Sequence, residues 1–183
     1  MRLHVLALTL LLAGCAGSVA MPDYSVVPDF SLTERSNRPV TKKDLAGQVW
    51  VADFIFTQCQ GICPAMSSNM EKLQRQLPKE VRLVSFSVDP YNDTPAVLTE
   101  YANRYNADPE RWLFLTGKAD DIQNLSVGGF KLALNPSSGT DVEPITHSSR
   151  FVLVDREGHI RGYYGTEDSG ALDRLMADVK KLL

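Results

Sequence analysis

The hydrophobic pattern changes from a strand period to a helix period in the first half of the chain. Residues 49–56 form a β-branched and aromatic run, which predicts a strand buried on both faces of a sheet. A helix is predicted to begin at Pro64, because proline is favoured in the first turn of a helix, and to end before Pro78, because proline cannot continue a helix. Its predicted core-facing residues are spaced by four, three and four positions: Met66, Met70, Leu73 and Leu77.

The rest of the pattern predicts alternating strands and helices. Residues 30–32 and a short segment around Val40 are expected to form an N-terminal hairpin or edge strands. Further strands are predicted at residues 81–88, 112–115, 151–154 and 160–164, and further helices at 94–105, 120–127 and from Ser169. This order predicts a single α/β domain in which helices flank a central mixed sheet.

Composition and charge narrow the class of protein. The 183 residues are 44% hydrophobic and 22% charged, which is typical of one folded domain. Lysine and arginine total 19 against 22 acidic residues, so the formal net charge is −3. This charge supplies no basic field to attract a phosphate backbone, and nucleic acid is not an expected partner.

The N-terminus has the pattern of an export signal. Arg2 precedes an apolar run at residues 3–12 that is shorter than the ~20 residues of a membrane-spanning helix. Residues 12–15, Leu-Ala-Gly-Cys, resemble a bacterial lipobox, in which the cysteine receives a lipid and becomes the new N-terminus. A plain secretory signal with an incidental cysteine is the alternative.

This signal divides the chain into three predicted parts. They are a signal peptide at residues 1–14, a lipidated Cys15 with a flexible tether at residues 15–28, and a folded domain at residues 29–183. The mature protein is then expected to be anchored to a membrane and to face the periplasm or the cell exterior. The sequence leaves open which membrane holds the lipid.

Cys59 and Cys63 carry the clearest chemistry. They lie four positions apart between the predicted buried strand and a helix N-terminus, close enough to form a disulfide or to bind one metal ion. A helix N-terminus favours the thiolate, which is both nucleophile and metal ligand, so a lowered pKa is expected. Two buried core cysteines, or one inert structural disulfide, are the alternatives.

A third metal ligand is expected from a histidine. His147 follows a polar stretch at residues 135–143 and precedes a predicted strand, although spacing alone leaves its role open. His159 lies in a predicted hairpin turn and is expected to be a surface residue. Thiolates and imidazole suit Cu(I), Cu(II) or Zn²⁺, and three ligands favour a low-coordinate copper site or an open zinc site. Met66 and Met70 are interpreted as core residues rather than thioether ligands.

Three separated motifs, taken together, point to a known family. They are Phe-Thr-Gln-Cys-Gln-Gly-Ile-Cys-Pro at residues 56–64, Asp-Pro-Tyr-Asn-Asp-Thr-Pro at 89–95, and His147-Ser148 before a strand that ends in Val-Asp-Arg-Glu-Gly at 154–158. From about residue 28 onward the chain resembles the Sco/SenC family, thioredoxin-like copper-binding proteins that serve cytochrome c oxidase assembly. The resemblance implies a thioredoxin-like fold, with a loop inserted before the histidine, and a copper site formed by Cys59, Cys63 and His147.

The chain also departs from the family's pattern. Many members have Asp directly before the histidine, where this chain has Thr146, and many have a carboxylate between the cysteines, where it has Gln60, Gly61 and Ile62. Because a nearby carboxylate orients an imidazole and adds negative charge, weaker or retuned Cu(II) binding is expected. Asp89 and Asp93 are candidates to support the ligands, although Asp93 is interpreted first as a helix cap.

Two functions from different classes follow from these residues. The first is a membrane-tethered copper chaperone, not an enzyme, that passes one ion to the copper-site subunit of cytochrome c oxidase. The second is a thiol-disulfide oxidoreductase, in which Cys59 attacks and Cys63 resolves, acting on the oxidase copper site or another exported protein. Other periplasmic copper carriers and thiol reductants are further expected partners. A thiol peroxidase is disfavoured, because the Thr-x-x-Cys arrangement of such enzymes is missing around Cys59.

Overall fold

The computed structural model describes residues 20–135 and 145–183, which form an eight-stranded mixed sheet flanked by four helices. The strands are β1 (Ser25–Val26), β2 (Ser31–Glu34), β3 (Pro39–Thr41), β4 (Trp50–Ile55), β5 (Arg82–Ser87), β6 (Trp112–Thr116), β7 (Leu134–Asn135), β8 (Thr146–His147), β9 (Arg150–Val154) and β10 (His159–Gly165). The helices are α1 (Cys63–Gln76), α2 (Pro95–Arg104), α3 (Ala119–Gln123) and α4 (Ala171–Leu182). The predicted signal peptide, Cys15 and most of the predicted polar loop, residues 136–144, lie outside the described residues.

The sheet has a parallel centre and antiparallel edges, as the sequence predicts for a mixed α/β domain. Its order is β1-β10-β9-β4-β5-β6-β2-β3, with β4, β5 and β6 parallel to one another. The predicted N-terminal hairpin forms from β2 and β3. β9 runs antiparallel to β4, so it begins at the edge of the sheet where β4 ends. β7 and β8 form a separate two-stranded ribbon.

The core confirms the predicted burial of the first strand and helix. Every residue of β4 is buried, and Phe54 stacks on Phe86 of β5 with ring centroids 5.1 Å apart. The four residues of the predicted helical stripe are also buried: Met66, Met70, Leu73 and Leu77. α1 thus packs its apolar face on the sheet, which fixes the helix N-terminus and the loop that precedes it.

The folded domain begins earlier than the predicted boundary at residue 29. β1 pairs antiparallel with β10, and the backbone N–H of Val27 donates to the carbonyl of Gly158 at 2.9 Å. The side chain of Val27 is fully buried. The predicted tether at residues 15–28 is therefore wrong for its last residues, because pairing with β10 satisfies their backbone groups and burial removes Val27 from water.

The predicted helix at residues 120–127 is also different in detail. α3 ends at Gln123 and continues as a π-helical turn at Asn124–Gly129. A Cβ atom at Gly129 would lie 2.7 Å from Cδ of Pro28, so glycine is needed where this turn packs against the N-terminal segment.

Within the two described stretches, no helix combines the length and apolar character of a bilayer-spanning segment.

Candidate metal centre

Three chain segments meet at the end of the sheet where β4 and β5 stop and β9 begins. β4 and β5 are parallel, with Ile55 opposite Ser87, so the segments that follow them emerge side by side. β9 is antiparallel to β4, and the segment that enters β9 therefore reaches the same edge. The two cysteines follow β4, and His147 precedes β9. The strand order thus brings together residues that are far apart in the sequence.

The cysteines occupy the turn between β4 and α1. Cys59 has 6% of its surface exposed and its backbone N–H donates to the carbonyl of Phe56 at 3.3 Å, whereas Cys63 is fully buried as the first residue of α1. Pro64 follows in the first turn of the helix, where its missing N–H costs nothing. The two thiols are not joined in a disulfide.

His147 is oriented toward Cys63 by contacts on both sides of its ring. Its Nε2 lies 3.2 Å from Sγ of Cys63, and its Nδ1 lies 3.2 Å from the carbonyl oxygen of Ser148. Because a carbonyl oxygen only accepts, Nδ1 carries the proton, and Nε2 is left as the lone-pair nitrogen facing the sulfur. The ring of Phe56 packs edge-on against the imidazole, with centroids 5.6 Å apart.

The ribbon of β7 and β8 holds His147 in this position. Leu134 is opposite His147 in the ribbon and is buried, and its carbonyl accepts a hydrogen bond from Gln123 of α3 at 3.1 Å. The histidine is therefore anchored to a helix of the main domain. A ligand held this way loses little further freedom when it binds an ion.

The three side chains offer a ready set of metal ligands. The sulfur atoms of Cys59 and Cys63 and a ring nitrogen of His147 all lie within 4.8 Å of one another. Two sulfurs and one imidazole nitrogen are donors that suit copper or zinc and disfavour Ca²⁺ or Mg²⁺. The described part of the chain thus brings together all three ligands suggested by the sequence.

The expected lowering of a thiol pKa at the helix N-terminus is wrong for Cys63. Burial raises the pKa of the Cys63 thiol far above its usual value, and a backbone hydrogen bond with Phe56 opposes the shift only in part. Without a cation nearby, this thiol is protonated at neutral pH. Metal binding must release its proton, so the positive charge of an ion is needed to stabilise the Cys63 thiolate.

Asp93 does not cap α2, contrary to its first interpretation. The N-cap is Thr94, whose hydroxyl oxygen accepts from the backbone N–H of Val97 at 3.4 Å. The fully buried carboxylate of Asp93 instead accepts hydrogen bonds from Thr57 and Ser87. Thr94 takes the capping role because it immediately precedes the helix, which leaves Asp93 to face the cysteine loop.

The remaining candidate residues fall outside the group of three donors. Met66 and Met70 are fully buried in the core beneath α1, as predicted. His159 pairs with Asp23 at 2.9 Å at the outer edge of the sheet. Thr146 is exposed beside His147, and its side chain adds no charge where many family members have Asp.

Two residues near the site were missed by sequence reasoning. Phe56 contacts His147, and only the tertiary fold could reveal that contact. Asp53 is fully buried on β4, and burial raises the pKa of its carboxyl group to about 7 even though Ser85 donates a hydrogen bond at 2.6 Å. Its Oδ2 has no hydrogen-bond partner among the described residues. An acidic residue inside an apolar strand was the signal that could have identified it.

A buried dithiol and a histidine at one edge of a mixed α/β sheet define a thioredoxin-like protein with a metal-binding ligand set. The SCO1/SenC family model matches residues 19–183. The chain is 37% identical over 177 residues to the SCO1 protein homolog of Bacillus subtilis strain 168, covering 93% of this chain and 90% of that protein. The chain belongs to the SCO1/SenC family, which confirms the resemblance drawn from its motifs.

Two solved structures agree with this assignment. The first is BsSco, described as a member of the Sco family of cytochrome c oxidase assembly proteins with a disulfide switch; it has a TM-score of 0.77 and 35% identity, covering 88% of this chain and 95% of that chain. The second is ScoI of Bradyrhizobium japonicum with copper bound, with a TM-score of 0.72 and 25% identity, covering 87% and 100%. The predicted thioredoxin-like fold is thus confirmed.

Proposed function

We propose that this protein is a copper chaperone that binds one copper ion, Cu(I) or Cu(II), through Cys59, Cys63 and His147. The observation that carries the proposal is the clustering of two sulfurs and one imidazole nitrogen within 4.8 Å. These donors match the preferences of copper, and the similar ScoI has copper bound. Nε2 of His147 already lies 3.2 Å from Sγ of Cys63, so a copper ion replaces the thiol protons without a large rearrangement of the site.

Delivery to the dinuclear copper centre of cytochrome c oxidase is the second part of the proposal. It is supported by the description of the similar BsSco as an oxidase assembly protein. His147 is half-buried and Cys63 is fully buried, so a recipient's ligand is expected to displace the histidine first. Copper then passes by ligand exchange, and the buried thiolate is protonated again as the positive charge leaves.

The location of the protein is part of the same proposal. We propose that Cys15 carries a lipid that anchors the domain to a membrane, facing the periplasm or the cell exterior. The support is the order of Arg2, the apolar run and Cys15 in the sequence. Cells grown with labelled fatty acid should label the wild-type protein and not Cys15→Ser, and equal labelling of both would contradict the anchor.

A thiol-disulfide oxidoreductase is the second candidate, because the two reduced thiols lie within 4.8 Å of each other and the similar BsSco is described as having a disulfide switch. In that reaction the thiolate of Cys59 attacks a substrate disulfide and Cys63 resolves the mixed disulfide. The substrate gains two electrons and two protons, and Cys59 and Cys63 end as a disulfide. His147 is not needed for this exchange.

Copper transfer distinguishes the two functions. The reduced full chain carrying Cys15→Ser is loaded with one equivalent of Cu(I) and mixed with the soluble copper-site domain of the oxidase subunit. The cysteines of this domain are reduced in one experiment and oxidised to a disulfide in a second. The chaperone is expected to lose copper to the reduced domain, and His147→Ala is expected to fail. No copper transfer together with reduction of the oxidised domain by both proteins would overturn the chaperone in favour of the oxidoreductase.

A further inference from the structure

The carboxylate of Asp93 connects the cysteine loop to the end of a neighbouring strand. Its Oδ1 accepts from the hydroxyl of Thr57 at 2.5 Å, and its Oδ2 accepts from the hydroxyl of Ser87 at 2.6 Å. The backbone N–H of Thr57 also points at the carboxylate, 3.2 Å from Oδ2 and 3.3 Å from Oδ1. The side chain is fully buried, so water does not compete for these bonds.

The peptide between Phe56 and Thr57 is the structural link from Asp93 to the metal site. Its N–H, on Thr57, donates to Asp93, and its carbonyl, on Phe56, accepts from the backbone N–H of Cys59 at 3.3 Å. The N–H and C=O of a trans peptide are fixed in one plane and point in opposite directions. By holding the N–H, Asp93 therefore aims the carbonyl at Cys59.

Phe56 also contacts the other two ligands. Its ring packs on His147, and its backbone forms a hydrogen bond with the thiol of Cys63. Phe56 therefore interacts with all three candidate ligands, and a rotation of the Phe56–Thr57 peptide would turn its carbonyl away from Cys59. Asp93 accepts hydrogen bonds from both the hydroxyl and the backbone N–H of Thr57, and it thereby opposes this rotation.

We propose that Asp93 is a positioning residue for the copper site: through Thr57 it fixes the Phe56–Thr57 peptide and with it Cys59. The expected effect on copper affinity rests on the proposed function, whereas the expected effect on the reactivity of the Cys59 thiol does not. Asp93 is not needed to cap α2, because Thr94 already does so. Asp93 acts on the ligands without touching the ion.

A matched control lies at the opposite end of the sheet. Asp155 is also buried, with 4% of its surface exposed, and its carboxylate accepts from the backbone N–H groups of Glu157 and His159 and from Arg161. It follows β9 where that strand pairs with the start of β4, away from the cysteines. Asp155→Asn therefore tests the loss of a buried carboxylate without disturbing the cysteine loop.

The test compares Asp93→Asn and Asp155→Asn in the full chain carrying Cys15→Ser, with Thr57→Val and Thr57→Ser as a second pair. In metal-free reduced protein, alkylation of Cys59 by iodoacetamide, followed by peptide mass mapping, should be at least about fivefold faster in Asp93→Asn and Thr57→Val. Thr57→Ser keeps the hydroxyl and should match wild type, as should Asp155→Asn. Copper affinity should fall at least about tenfold in the same two variants, with a changed sulfur-to-Cu(II) charge-transfer band.

The possible results separate the two proposals. Unchanged alkylation in both Asp93→Asn and Thr57→Val, or an equal increase in Asp155→Asn, would overturn the role of Asp93. If wild-type protein binds no copper, the proposed function fails, and the alkylation rates alone decide whether Asp93 positions Cys59.

Discussion

Replacing Asp53 by Asn should stabilise the folded protein at alkaline pH. Asp53 is fully buried on β4, and burial raises the pKa of its carboxyl group from 3.8 to about 7. The hydroxyl of Ser85 donates to Oδ1, and Oδ2 has no partner among the described residues. Asn resembles the protonated acid, since its amide oxygen still accepts from Ser85 and its amide carries no charge.

The size of the expected gain in stability follows from the difference between the pKa of Asp53 in the folded chain and its pKa in the unfolded chain. Between pH 3.8 and about 7 the folded state binds one more proton than the unfolded state, so the stability of wild-type protein falls as the pH rises through this range. A difference of about 3 pKa units at ~1.4 kcal/mol each corresponds to a total loss of about 4 kcal/mol. Asn at position 53 does not titrate, so its advantage grows to about this value and then levels off.

The assay is urea unfolding of metal-free reduced protein at about pH 4.5, 6 and 8, followed by the fluorescence of Trp50 and Trp112, which are both buried. Other titrating groups are the same in both proteins, so their effects cancel in the difference between the free energies of unfolding of wild type and Asp53→Asn. Asp155→Asn is the control of opposite sign. Burial acts to raise the pKa of Asp155, but hydrogen bonds and the charge of Arg161 together outweigh burial and lower it. This variant should therefore lose stability most at neutral pH and less in acid. An advantage of Asp53→Asn that does not grow with pH would refute the reasoning.

Four further substitutions test residues around the site and the cap of α2. Phe56→Leu removes the ring that contacts His147, so copper affinity should fall by about tenfold in competition titrations while the fold is retained, and an unchanged affinity would contradict the contact's role. Met66→Leu and Met70→Leu should leave copper affinity unchanged and cost less than about 1.5 kcal/mol in urea unfolding; loss of copper binding would instead identify a thioether ligand. Thr94→Ala removes the cap of α2 and should cost about 1 kcal/mol in the same assay, with a neutral result arguing against the cap.

The main elements of the fold could be predicted because their local patterns agree with their tertiary surroundings. Residues 49–56 are apolar enough to indicate a strand buried on both faces, and the spacing of Met66, Met70 and Leu73 indicates the buried face of α1. The N-terminal boundary could not be predicted this way. Residues 25–27 join the sheet by backbone pairing with β10, and such pairing leaves little trace in a short stretch of sequence.

The site was only partly predictable for a similar reason. The spacing of Cys59 and Cys63 and their position before a helix identify a reactive pair, but the place of His147 depends on β9 lying beside β4. The pKa of Cys63 was misjudged because burial, which the sequence does not show, outweighs the helix N-terminus. Asp93 was misjudged because its partners, Thr57 and Ser87, come from other segments of the chain.

The most direct test of the account is copper binding to the reduced full chain carrying Cys15→Ser. Its stoichiometry and affinity should be measured beside Cys59→Ser and His147→Ala, with His159→Ala as the control, since His159 pairs with Asp23 outside the site. One tightly bound ion is expected in wild type and in His159→Ala, with affinity at least about tenfold weaker in each ligand variant. Weak wild-type binding, or unchanged affinity in His147→Ala, would contradict a copper site formed by two cysteines and this histidine.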